Sequence, residues 1–132
     1  MKKLLLFATA IVLIAAVSSS CKKDKQTTAQ KVQHNWTLVS ETDNSHDVSG
    51  DNIDTTAGVQ GDFINFNVNG TLTSQFDGAA DNGIYILTSD TEISINGIAF
   101  TIKTLTATQF VLYFKQVLSS TDYVETTINL KR

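Results

Sequence analysis

Between Trp36 and Leu130 the apolar residues recur at alternate positions, in short runs broken by turn-forming residues. That rhythm restricts the fold more than any other feature, because side chains two apart share one face of a β-strand, whereas a helix repeats at 3.6. The first run sets Trp36 and Leu38 against Thr37 and Glu41. Phe63 to Val68 then carries Ile64, Phe66 and Val68 on one face, and Thr71 to Phe76 carries Leu72 and Phe76. Ile84 to Thr88 is apolar on both faces. Ile93 and Ile95 lead into Ile98, Phe100 and Ile102, and a turn is expected at Thr106-Ala107. Phe110, Leu112 and Phe114 follow, against outward Tyr113 and Lys115. After a turn over Ser119 to Asp122, the run Tyr123 to Lys131 keeps Val124, Thr126, Ile128 and Leu130 in phase. These are eight strands in about 97 residues. Paired with their sequence neighbours, eight strands close into an antiparallel up-and-down β-barrel without free edges; a β-sandwich is the alternative.

Two Asn-Gly turns set the register of two hairpins. A two-residue loop at Asn69-Gly70 would place Phe66 opposite Thr73 and mix the faces. A three-residue loop, Val68-Asn69-Gly70, pairs Phe66 with Leu72 and Ile64 with Ser74. Since a slip of one residue moves every side chain to the other face, a three-residue loop with a glycine bulge is expected there. At Asn96-Gly97 the same test favours a two-residue type I′ turn, which pairs Ile95 with Ile98 and Ile93 with Phe100. Between the first two runs, Thr42 to Gly61 holds Asp43, Asp47, Asp51 and Asp54 with few apolar residues. It is expected to be a long mobile or partly ordered loop.

The N-terminus carries an address. Lys2 and Lys3 precede fourteen uncharged residues, Leu4 to Val17, and then Ser18-Ser19-Ser20-Cys21. A basic start, a short apolar run and small residues at a cleavage point describe an export signal over residues 1–20. The run falls short of the roughly 20 residues that span a bilayer. The single cysteine directly after it resembles the lipobox of bacterial lipoproteins. That implies acylation of Cys21 (palmitate or a similar chain) and an exported protein anchored at the outer membrane or cell surface. More than one acyl chain makes such an anchor lasting, since each buried CH₂ contributes about 0.8 kcal/mol. Residues 21–33 are polar and read as a tether, with one helical turn from Thr28 to Gln33 feeding a domain over 34–132. Lys22, Lys23 and Asp24 serve either as a surface-sorting signal or as a solvated spacer.

Removal of residues 1–20 takes away two lysines, leaving eight basic residues against thirteen acidic ones, a net charge of −5. That balance argues against nucleic acid as a partner. The remaining 112 residues fit one domain.

Trp36-x-Leu38, Phe63-x-x-Phe66 followed by Asn69-Gly70-Thr71, Gly83-x-Tyr85-x-Leu87 and the closing Leu130-Lys131-Arg132 resemble the lipocalin-like lipoproteins common in Bacteroidota, over His34 to Arg132. The resemblance implies an antiparallel barrel whose open end holds a small hydrophobic ligand.

Trp36, Leu38, Phe66, Phe76, Tyr85, Phe100, Leu112 and Phe114 are the candidate interior positions. They either line a ligand cavity or fill the core, because an eight-stranded barrel is just wide enough for either. No nucleophile motif stands beside His34, expected at a strand end on the surface, or His46, expected in the acidic loop, so no catalytic role and no cofactor are expected. Asp43-x-Ser45-x-Asp47 has calcium-loop spacing but lacks the glycine and the bidentate glutamate such a loop uses, so no metal is assigned. Two functions remain: a lipid-anchored binding module, or an envelope accessory with a filled interior that works through its surface.

Overall fold

A computed structural model describes residues 26–132. The expected export signal, the expected lipidation site at Cys21 and the charged residues that follow it lie outside the described residues.

A short helix, α1 (Thr28–Val32), opens the domain. Thr27 caps it reciprocally: the Gln30 amide donates to the Thr27 hydroxyl at 3.2 Å, and the Thr27 amide donates to the Gln30 side chain at 2.9 Å. Such a capping box satisfies two helix-end donors at once. Nine strands follow: β1 (Asn35–Asp47), β2 (Gly50–Ala57), β3 (Phe63–Phe66), β4 (Thr71–Phe76), β5 (Ala79–Ser89), β6 (Glu92–Ile95), β7 (Ile98–Leu105), β8 (Gln109–Val117) and β9 (Tyr123–Lys131). The sheet runs β2-β1-β3-β4-β5-β6-β7-β8-β9, and β9 pairs back with β1. All pairings are antiparallel, so β1 and β3 to β9 form the closed eight-stranded up-and-down barrel that the alternation predicts, and not a sandwich.

The ninth strand corrects the sequence reading. Thr42 to Gly61 is not a long loop: β1 continues to Asp47 and β2 returns alongside it, with Ser40 opposite Ala57 and Asp47 opposite Gly50. Every residue of β2 is exposed, so no alternation marks it. Its order comes from backbone pairing to β1, which β9 braces from the other side. β2 and β3 share one edge of β1 as a broken strand, the gap bridged by the Gly58 amide to the Val39 carbonyl at 2.9 Å and the Leu38 amide to the Asp62 carbonyl at 3.2 Å.

Both Asn-Gly turns adopt the expected registers. Phe66 faces Leu72 and Ile64 faces Ser74, with the Asn67 amide bonded to the Thr71 carbonyl at 2.9 Å to close the three-residue loop. At the other turn Ile95 faces Ile98 and Ile93 faces Phe100. Asn96 and Gly97 have φ of 50° and 85°, the positive pair a type I′ turn requires. A third such turn, Asp77-Gly78, starts β5 at Ala79, five residues before the predicted start at Ile84.

A bulge in β1 has the largest consequence. Leu38 pairs with Leu130, but the next paired residue is Ser40, opposite Asn129. Val39 is the extra residue, and one extra residue shifts all later side chains to the other face. Glu41, expected outside with Thr37, therefore lies on the inner face opposite Ile128, and Asp43 follows it opposite Thr126.

One end of the barrel is filled. Trp36, Phe66, Phe110, Ile93, Leu112, Leu130 and Val32 are fully buried there. Phe110 packs on Trp36 and Phe66 at centroid distances of 5.3 and 5.8 Å, and Tyr85 meets Phe66 edge-on at 5.1 Å. The polar tips find partners: the Trp36 indole donates to the Val32 carbonyl at 3.0 Å and the Tyr85 hydroxyl to the Asn67 carbonyl at 2.7 Å. Because α1 supplies Val32 to this floor, the ordered domain starts before residue 34 and the residues just ahead of the barrel are not free tether.

Candidate ligand cavity and its acidic mouth

Above the floor the packing opens. A cavity of about 190 Å³ lies inside the barrel, walled by Ile64, Leu72 and Leu112 below and by Phe76, Ile95 and Phe100 toward the rim. A second hollow of about 340 Å³ lies beside it under the β1–β2 hairpin, and the two share Leu38, Glu41 and Phe76. Small residues make this room. Inward-facing Gly83 lies opposite Leu72, and Ser74 lies opposite Asp81. A Cβ at Gly83 would come within 2.4 Å of the Asn96 side chain, which also lines the cavity and accepts the Ile84 amide at 3.0 Å.

The eight candidate interior residues separate into groups. Leu38, Phe76, Phe100 and Leu112 line the cavity. Trp36, Phe66 and Tyr85 belong to the filled floor. Phe114 packs against Phe100 with tilted rings, centroids 5.5 Å apart, and is half-buried. Sequence reasoning missed the polar lining: Glu41, Ser74, Asp81 and Asn96. Asp81 and Asn96 stand beside recognisable Asp-Gly and Asn-Gly turns, but Glu41 enters only through a bulge that no residue type announces.

The mouth is acidic. Glu41 and Asp81 line the inner cavity, and Asp62 and Asp77 line the adjoining hollow. By register Asp43 and Asp54 continue the same face up the hairpin. Among the described residues no lysine, arginine or histidine lines either space. Glu41 reaches solvent, yet burial of its carboxyl and then the Asp43 charge push its pKa above the ordinary carboxylate value. Asp62 is buried for a structural purpose: it accepts the Val59 amide at 2.9 Å and the Asp77 amide at 2.8 Å, tying the 58–62 segment to the Asp77-Gly78 turn. Ser74 is only 6% exposed and lines the cavity, and its hydroxyl has no hydrogen-bond partner among the described residues.

The outer face of the same strands carries the cations. Lys103 sits 4.4 Å from the Tyr113 ring centroid, and Lys115 sits 3.4 Å from that of Tyr123 and 3.7 Å from Glu125. His46 is not a loop residue; it lies near the end of β1, stacked on Tyr123 at 4.1 Å with Nδ1 2.6 Å from Asp51. Tyr113 donates to Glu125 at 2.6 Å. That bond above all, then Lys115 and His46, holds the Glu125 carboxyl below its usual range, and the same bond raises the Tyr113 hydroxyl. His34 is half-buried with Nε2 unpartnered; burial and then Arg132 lower its pKa. Among the described residues no group of three or more His, Cys, Asp or Glu side chains is placed to hold a metal ion.

Fold and cavity define a small closed antiparallel β-barrel, filled at one end and open to an acidic, partly apolar cavity at the other. No protein-family model matches the chain, and no curated protein matches it.

Proposed function

We propose that the protein is a lipid-anchored lipoprotein of the cell envelope, exported and held at the outer membrane or cell surface through Cys21, whose lipocalin-like barrel binds a small hydrophobic molecule. The observation that carries the binding reading is the cavity of about 190 Å³ within a closed barrel, with aromatic Phe76 and Phe100 in its wall. An apolar cavity of about 150 Å³ is known to accept benzene. Drug-sized ligands need about 300 Å³ or more, so the inner cavity suits a compact molecule or the end of a longer one reaching into the adjoining hollow. The reading gives the protein no catalytic role and no nucleic-acid partner.

The test is native mass spectrometry of the protein purified from its own cells. A retained small molecule that is released on unfolding is expected; repeated recovery of the bare protein alone argues against binding. The anchor is tested separately, since Cys21→Ser is expected to move the protein out of the membrane fraction. One observation favours a second reading, an accessory that works through its surface: Ile84 and Ile86 lie on the outer face of β5, 58% and 61% exposed.

A further inference from the structure

We propose that the molecule held in the barrel carries a cationic ammonium group on a compact apolar body, that is, a small aryl or alkyl amine. This rests on the binding reading above and adds the chemistry of the head group.

Three independent features converge on one end of the cavity. The first is charge without compensation. Glu41 from β1 and Asp81 from β5 border the inner cavity, Asp62 and Asp77 border the adjacent hollow, and Asp43 and Asp54 extend the acidic face along the hairpin. The cationic side chains of the adjacent strands, Lys103 and Lys115, are turned away and spent on the outer-face tyrosines. A carboxylate ligand entering here meets only like charge, whereas an ammonium ion meets partners.

The second feature is Ser74, 6% exposed and opposite Asp81, whose side chain lines the cavity and makes no hydrogen bond to another described residue. A hydroxyl that faces the cavity has free lone pairs, which a ligand N–H can satisfy. The third is aromatic. Phe76 and Phe100 stand in the wall beside these groups, and aromatic faces attract an ammonium ion. A neutral hydrocarbon uses the wall alone, and a fatty acid is opposed by the mouth. An amine uses both.

Glu41 supports this assignment from its own position. The bulge at Val39 spends one residue to bring a carboxylate onto the inner face, where burial and Asp43 disfavour its charge. A bound cation relieves that cost.

The experiment is titration calorimetry of the purified processed protein at pH 7 and low salt with benzylamine, benzyl alcohol and benzoate, which share one ring and differ in head group. Benzylamine is expected to bind at least about tenfold more tightly than benzyl alcohol, the scale of one charge-assisted hydrogen bond, and benzoate is expected to bind most weakly. Glu41→Gln and Asp81→Asn are each expected to remove most of the amine's advantage over benzyl alcohol, and an unchanged near-ultraviolet circular dichroism spectrum confirms that the barrel is intact. Equal binding of amine and alcohol, or an advantage that survives both substitutions, overturns the amine assignment and leaves the binding reading standing. Absence of binding by all three overturns both.

Discussion

The two ends of the barrel use the same strands for opposite purposes. At the α1 end, Trp36, Phe66, Phe110 and Leu130 interlock, and the polar tips of Trp36 and Tyr85 have partners. At the hairpin end, the same strands present Glu41, Ser74, Asp81 and Gly83, which leave space and bring charge. A barrel of this girth can be filled or hollow; this one is both. Concentrating the large side chains at one end lets the other carry groups that oppose folding, because close packing below holds the strands in register above.

The largest expected effect separates the ends directly. Phe110→Ala removes a fully buried ring in contact with both Trp36 and Phe66 and is expected to cost about 3–5 kcal/mol in urea unfolding. Phe100→Ala, at the half-buried rim, is expected to cost only about 1–2 kcal/mol, because less apolar surface returns to water. Equal costs would remove the division between a structural and an open end.

The second effect tests the junction between them. Gly58 lies where the edge of β1 passes from β2 to β3, and a Cβ built there comes 2.2 Å from the Leu38 carbonyl oxygen. Backbone opposes it, with no flexible side chain to give way. Gly58→Ala is expected to destabilise by about 2–3 kcal/mol, in the range of substitutions that force backbone strain. Amide exchange sharpens the comparison: protection is expected to fall along β2 and the hairpin while the floor stays protected. Loss of protection in both at once would mean that the ends do not act separately.

The sequence makes the closed end legible and hides much of the open one. Trp36, Leu38, Phe66, Leu112 and Leu130 alternate cleanly because one face is packed, so both their strands and the registers of the two Asn-Gly hairpins follow from sequence. β2 has no packed face, and its polar residues are held by main-chain bonds that any residue except proline supplies. The Asp77-Gly78 turn carried a readable signal, but Ala79 to Gly83 beyond it show no alternation to extend the strand. The bulge at Val39 leaves no mark in residue type, which is why Glu41 was expected on the wrong face.

The smallest expected effect contrasts the two faces of the sheet at Glu41 and Glu125. Folding raises the Glu41 pKa above its unfolded value near 4.5, so the folded state binds the proton more tightly. Its contribution is most favourable below about pH 4.5 and is lost as the pH rises through the raised folded value. Glu41→Gln removes that loss. It is expected to stabilise the protein near neutrality by no more than about 0.5 kcal/mol, since the side chain reaches solvent, with the gain disappearing on acidification. Glu125, lowered by Tyr113, Lys115 and His46, has the opposite sign: its stabilisation is present above its unfolded value and lost as the pH falls through the folded one. Tyr113→Phe should therefore narrow the difference from wild type in acid, where Glu41→Gln does the same from the other direction. Unfolding curves of the two variants against pH that diverge from wild type with the same sign would show that the inner and outer carboxylates are not held in opposed environments.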